Sequence, residues 1–318
     1  MDTGVAFHPQ FLKHIESISH PECKERLLSI QTHLEKSGFY SRLSKIDTIE
    51  LENYSQEKLE KAILQNHNPV FWNEFLDRRE FQKSGYFDAD TPYTPGSFSS
   101  ALLAVSAGLV LAEKVHTGVL ENAMAIVRPP GHHSEEDHAM GFCIFNNVAI
   151  TARHLKTLGY SRILILDFDV HHGNGTQNSF YDDDSVCFIS LHQYPFYPGT
   201  GAASETGLGK GKGFTHNFPL PGRSGIETYK PIFQNNFPKI LESFQPEFIL
   251  LSSGFDAHKE DPLGGMNLTT CDFEWITKQC VEASKNYCKG KLISFLEGGY
   301  DLEALGESVK VHLSVLNG

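Results

Sequence analysis

The chain has 318 residues, 40% hydrophobic and 21% charged, with a formal net charge of −12. Such a composition supports a sizeable globular core, and the acidic balance argues against nucleic acid as a direct partner, because phosphate binding needs a basic footprint. No basic-then-apolar leader opens the chain, and no apolar run approaches the roughly 20 residues that span a bilayer, so a cytoplasmic protein without a membrane partner is expected.

In chain order, residues 1–95 are polar and read as a helical, loop-rich flank punctuated by Pro21, Pro69 and Pro92. A helix is predicted over 99–116 and a buried strand over 123–127. Then come a helix over 148–158, strands over 162–166 and 186–191, and a continuous helix over 226–244. A strand over 248–252, a helix over 272–287, a strand over 292–296 and a helix over 302–316 complete the pattern. Apolar strands alternating with long helices predict an α/β fold. Its central parallel sheet would carry helices on both faces, in one domain over 1–318 that includes the N-terminal flank.

Six cysteines, Cys23, Cys143, Cys187, Cys271, Cys280 and Cys288, form no C-x-x-C pair and read as reduced thiols. The last three lie in or beside the helix over 272–287 and are expected to be buried there. Cys143 reads as a buried thiol too.

The chemistry-bearing residues cluster at strand ends. RPPGHH (128–133), DFDVHHGNG (167–175), SGFD (253–256) and EGGY (297–300) each follow a predicted strand. Open parallel sheets bind ligands just past the carboxyl ends of their strands. Several ionisable groups there cost desolvation energy unless paired or bound to metal. Asp167, Asp169 and His171 alternate, so an extended chain would point them to one side. One aspartate and one histidine from this segment, with Asp256 from a different strand, supply three ligands and leave a position open. The oxygen-rich set suits zinc, iron(II) or manganese(II). The chemistry expected is hydrolysis, the ion polarising a carbonyl and lowering the pKa of a water toward ~7.

His132 and His133 are candidate ligands or proton shuttles, and Asp167, left over from the metal set, is placed to orient one imidazole. The glycines before Tyr300 allow close backbone approach and would let its phenol donate to a developing oxyanion.

Together with HPE (20–22), ERL (25–27), GFCIFNN (141–147), SLH (190–192), PFYPGTG (195–201) and SGFDAHKEDPLGG (253–265), these motifs run almost the length of the chain. They resemble the zinc-dependent histone deacetylase superfamily, which also contains acetylpolyamine amidohydrolases and acetoin-utilisation proteins. The resemblance implies one zinc ion held by Asp169, His171 and Asp256. It makes His132 and His133 the catalytic pair, with His133 the general base and acid and His132 buttressed by Asp167. Tyr300 would polarise the acetyl carbonyl. Gly141 and Phe142 would form one wall of a tunnel for an acetylated alkylamine. The facing wall falls on Tyr197, where the family more often has phenylalanine, and Asp90 falls where a rim residue grips the substrate backbone. Oxygens around Asp167, Asp169, His171, Ser190 and Leu191 resemble a potassium site, and those near Phe180 and Val186 a second.

Within the superfamily, Asn174 stands where class I carries aspartate, which resembles class II. Tyr300 is not the histidine that marks the weakly active class IIa group. Leu263 stands where polyamine-selective relatives place a glutamate. The resemblance therefore implies hydrolysis of N-acetyl-lysine in proteins or peptides, with hydroxamate-type inhibitors expected to bind. An acetylpolyamine or small-molecule amidohydrolase is the alternative. A dinuclear manganese hydrolase of the arginase type would need bridging carboxylates that Asn174 and Leu263 do not supply. A non-catalytic reader of acylated lysine fits poorly with the full catalytic set.

Overall fold

The strands of this computed structural model, which describes residues 2–318, are β1 (Thr3–Ala6), β2 (Ser44–Lys45), β3 (Gly85–Tyr86), β4 (Pro92–Tyr93), β5 (Asn122–Ala125), β6 (Ile163–Asp167), β7 (Val186–Gln193), β8 (Thr215–Leu220), β9 (Phe248–Ser253) and β10 (Leu292–Leu296). β3 and β4 form a small antiparallel hairpin. The other eight make one sheet, in the order β2-β1-β5-β10-β9-β6-β7-β8, with every pairing parallel. Helices cover both faces, so β5, β6, β9 and β10 are buried at every residue. That is why they read as unbroken apolar runs and not as alternating ones.

The long helices start where the sequence caps them. Thr94 and Ser97 form a capping box ahead of Pro95–His116, and Thr269 with Asp272 does the same for Thr270–Cys288. Asp301 accepts from the Ala304 N–H at the start of Leu302–Leu316. Each cap satisfies backbone donors that the helix leaves free and contributes about 1 kcal/mol. Leu302–Leu316 packs against both Lys24–Lys36 and Thr270–Cys288, which ties the N-terminal segment to the end of the chain.

Four expectations are corrected and one strand is added. Residues 1–95 are not only a flank, because β1 lies inside the sheet between β2 and β5. Four residues are too few to show a period. β8 was not expected, because Pro219 and the polar His216 and Asn217 hide its pattern; it is an edge strand, where proline is tolerated. The helix over 226–244 is broken into Ile226–Pro231, a π-helical turn at Ile232–Asn236, and Phe237–Phe244. Pro231 and Pro238 each remove a backbone donor that a continuous helix would use. Cys271 is exposed, whereas Cys280, Cys288 and Cys143 are buried. Finally, Pro95–His116 does reach the length and apolarity of a membrane span, with a mean hydropathy of 1.6. However, 72% of that stretch is buried inside the protein, as in a core helix.

The strands that end in the suspicious motifs, β5, β10, β9 and β6, are consecutive neighbours in the sheet. Their carboxyl ends therefore deliver residues 128–133, 297–300, 253–256 and 167–175 to a single rim.

Candidate functional site

Past β6 the chain leaves the extended path. The Asp169 N–H donates to Asp167 Oδ1 at 3.1 Å, and the His171 N–H donates to Asp169 Oδ1 at 2.9 Å. Two successive side-chain-to-backbone turns of this kind reorient the side chains. The expectation that Asp167, Asp169 and His171 point to one side is therefore not met. Asp167 turns to His132, whose Nδ1 lies 2.9 Å from Asp167 Oδ2. Asp169 and His171 turn to Asp256 instead.

Asp169, His171 and Asp256 each offer a ligand atom, all within 4.8 Å of one another. The fit to a cation rests on proton counting. His171 Nδ1 lies 3.1 Å from both Asp169 Oδ1 and Asp256 Oδ2. A ring nitrogen carries at most one proton, so it cannot serve two carboxylates well, whereas a cation shared by all three atoms satisfies each. Burial, opposed by His171, pushes the Asp256 carboxyl up to about 7 next to Asp169. Burial works against charge on His171 too, yet the two carboxylates raise its imidazole to about 10. The remaining oxygens are pinned by backbone donors: Val170 N–H to Asp256 Oδ1 at 2.8 Å and Gly298 N–H to Asp169 Oδ2 at 2.8 Å. The backbone comes this close because residues 254 and 298 are glycine. A Cβ at Gly254 would stand 2.0 Å from Asp169 Oδ2, and one at Gly298 2.1 Å from Asp256 Oδ2.

The His132 and His133 rings lie 4.0 Å apart, centroid to centroid, with their planes tilted by 45°, but their surroundings differ. Burial disfavours charge on His132, yet Asp167 and Asp169 outweigh it and raise the ring to about 10. His133 is held well below its usual value, first by burial and then by His132 and His171. Its Nδ1 meets the neutral Asn174 Oδ1 at 2.7 Å. Two adjacent imidazoles are thus pushed in opposite directions by their surroundings.

A cavity of about 190 Å³ is lined by Asp90, His133, Gly141, Phe142, His171, Tyr197, Leu263 and Tyr300. All five residues expected along the substrate path, Phe142, Tyr197, Gly141, Asp90 and Leu263, therefore share one space with His133, His171 and Tyr300. Phe142 sits at φ 69°, a conformation that costs a bulky residue of the order of 1–3 kcal/mol. Gly141 N–H to Asp90 Oδ1 (3.2 Å) and Phe142 N–H to Thr91 Oγ1 (3.1 Å) hold it there. Asp90 thus anchors the Phe142 loop as well as facing the rim. Across the cavity, the Tyr197 ring meets His133 edge-on at 5.2 Å. The Tyr300 ring meets Phe142 edge-on at 5.9 Å, and its hydroxyl has no protein partner among the described residues. Burial pushes that hydroxyl well above its ordinary pKa, so it is a donor at neutral pH.

Asp167 and Ser190 face each other in the β6–β7 register, with Leu191 next along. Phe180 caps Asn174–Ser179 and Val186 opens β7, so these two flank the intervening turn.

Sequence reasoning missed a buried frame behind the site. Glu297 accepts from the Gly131 and His132 N–H groups at 2.7 and 3.2 Å, joining two of the rim segments. Asp261 accepts from the Tyr300 N–H at 2.6 Å. Arg26 donates to the Gly299 and Glu297 carbonyls and places its guanidinium 5.0 Å from the Tyr300 ring centre. Glu297 ends an apolar strand, a signal that was present. Glu22 and Arg26 lie in a polar N-terminal segment, where nothing in the sequence separates them from surface charges.

Residues 20–316 match the family model described as Histone deacetylase domain. The chain belongs to the histone deacetylase family. It is 40% identical to a "Probable deacetylase" of Archaeoglobus fulgidus, over 95% of this chain and 82% of that protein. Identity to the chloroplastic histone deacetylase 14 of Arabidopsis thaliana is 38%, over 92% and 71% of the two. Human histone deacetylase 9 is 37% identical over 99% of this chain but only 34% of its own length. Among solved structures, the crystal structure of the HDA15 HD domain superposes with a TM-score of 0.91 at 35% identity, covering 100% of this chain and 89% of that one. Every residue of the rim and cavity described above falls inside the span matched to the histone deacetylase domain.

Proposed function

We propose that the chain is a zinc-dependent deacetylase that hydrolyses the acetyl amide of N-acetyl-lysine in proteins or peptides. The observation that carries this reading is the single small cavity that ends on His171, His133 and the Tyr300 hydroxyl and is walled by Phe142 and Tyr197. Its volume of about 190 Å³ lies below the roughly 300–1,000 Å³ of drug-sized pockets and suits one extended alkyl arm.

Asp169, His171 and Asp256 would hold the ion, which when bound supplies a Lewis acid to the acyl oxygen and acidifies a water. Neutral His133, with its Nδ1 proton committed to Asn174, takes a proton from the attacking water at Nε2 and delivers it to the leaving amine. The charged His132 beside it, paired with Asp167, disfavours a second positive charge on His133 and so favours passing the proton on to the amine. The Tyr300 hydroxyl donates to the developing oxyanion. Phe142 and Tyr197 exclude water from the alkyl arm.

Lysine is favoured over a polyamine by the lining. Asp90 is its only acidic residue, it stands at the rim, and it is engaged by Gly141 and Thr91. Leu263 offers no carboxylate to a second ammonium. Turnover on acetyl-lysine peptides, measured beside N-acetylputrescine and acetylspermidine, tests the proposal. Faster turnover of the peptide is expected, and preference for the polyamines would overturn it. Hydroxamate-type inhibitors are expected to occupy the same cavity. The proposal extends to structural potassium at the oxygens around Asp167, Asp169, His171, Ser190 and Leu191, and around Phe180 and Val186. A melting temperature that rises with potassium but not with lithium would support those sites.

A further inference from the structure

Asn174 presents its carbonyl oxygen to His133, and an amide is free to flip unless its other end is held. Asn174 Nδ2 donates to Glu135 Oε1 at 2.5 Å. Its other acceptors, the His133 carbonyl at 3.3 Å and the Met140 sulfur at 3.4 Å, are long or weak. Glu135 is itself aimed by Asn178, whose Nδ2 lies 2.9 and 3.1 Å from the two carboxylate oxygens. A carboxylate has no donor, so it accepts only the NH₂ end of Asn174. That turns Oδ1 toward His133, and Oδ1 in turn accepts only from a protonated Nδ1. The proton on Nδ1 leaves the Nε2 lone pair facing the cavity.

We infer that Glu135 is a positioning residue for the reaction proposed above, selecting the tautomer of His133 through the orientation of Asn174. His132 receives its orienting carboxylate directly from Asp167, whereas His133 receives one at second hand through a neutral amide. The difference has a purpose. A carboxylate directly on His133 would favour its charged form, while Asn174 transmits orientation without the charge. This inference rests on His133 being the base.

Three variants separate orientation from charge and from mere support. Glu135→Gln keeps an acceptor for Asn174 but adds a donor, so the orientation is held less firmly and kcat falls by less than in the lysine variant. Glu135→Lys offers only donors, turns Asn174 round, points its NH₂ at Nδ1 and moves the ring proton to Nε2. We expect kcat to fall ~10- to 100-fold with KM and metal content unchanged. Adding Asn174→Asp to Glu135→Lys gives a carboxylate that accepts from both Lys and His133 Nδ1–H, so the Nδ1 proton returns, while turnover recovers only in part because that carboxylate also favours the charged ring. A long-range ¹H–¹⁵N spectrum of histidine-labelled protein reads the tautomer independently of activity. His133 is expected protonated at Nδ1 in wild type and at Nε2 in Glu135→Lys. An unchanged tautomer in Glu135→Lys, or failure of Asn174→Asp to restore it, overturns the inference. Absence of acetyl-lysine hydrolysis by wild type would instead remove the proposed function and leave the tautomer result standing.

Discussion

Replacing Gly298 with alanine tests the proposed metal centre without substituting any of its three ligand residues. The new Cβ would stand 2.1 Å from Asp256 Oδ2 and 2.6 Å from Asp169 Oδ2. Carbon–oxygen contacts settle at about 3.3 Å, so the Asp256 oxygen must retreat by about 1 Å. Neither carboxylate can swing away freely, since Val170 N–H holds Asp256 Oδ1 and Gly298 N–H holds Asp169 Oδ2. A retreat of that size is several times the ~0.2 Å tolerance of metal–ligand distances. Perturbing groups that merely orient ligands costs ~10- to 100-fold in metal affinity, and displacing a ligand oxygen belongs at the upper end. We expect zinc affinity to fall about 100-fold, or about 2.7 kcal/mol. Competition against a chromophoric chelator measures it, with circular dichroism confirming the fold. Gly222→Ala is the control, because nothing comes nearer than 3.5 Å to its Cβ. Folded Gly298→Ala protein that binds zinc as tightly as wild type would refute the reasoning.

Other outcomes follow from the same structure. Tyr300→Phe removes one oxyanion donor and should lower kcat by roughly 10²- to 10³-fold while leaving metal content unchanged, as paired kinetics and metal analysis would show. Glu22→Gln should destabilise the protein by roughly 3–5 kcal/mol in denaturant titrations, because the buried Arg128 and Arg26 both lose their carboxylate. Burial disfavours the Glu22 carboxylate, yet those guanidiniums and His14 hold it at about 2. Its folded pKa is depressed, so its contribution is complete above the ordinary carboxylate range and disappears only as pH falls toward about 2. His312 is pushed down to about 3 by burial and bonded to Thr277 and Ser294. The unfolded chain binds its proton near pH 6.5 and the folded chain does not, so stability drops as pH falls below that value. His312→Gln should remove up to about 1.4 kcal/mol per pH unit from that slope, measured by denaturant titration between pH 6 and 4.

The outline of the fold was legible because buried parallel strands advertise themselves. ILILD and LISFL need no alternation, and the charged residues that follow them mark the rim. Asp169, His171 and Asp256 could be grouped for the same reason. What local pattern cannot show is where a chain turns after its strand ends. The bonds from the Asp169 and His171 N–H groups fold Asp167 away toward His132, against the simple alternation. β1 and β8 were hidden by shortness and by Pro219, and the helix over 226–244 was read through Pro231 and Pro238. Arg26 and Glu22 were hardest to read, because a buried ion network is spelled with the same residues as a solvated surface. Only the packing of Lys24–Lys36 against Leu302–Leu316 puts them behind Tyr300.

The central claim is a single catalytic ion held by Asp169, His171 and Asp256. Chelator-treated protein, titrated with zinc while acetyl-lysine hydrolysis and bound metal are followed in the same sample, tests it most directly. The account predicts that activity is absent at the start and rises in step with zinc to saturate at one ion per chain, with Asp256→Ala neither binding nor turning over. Hydrolysis that persists in metal-free protein, or that requires a second ion per chain, would contradict it.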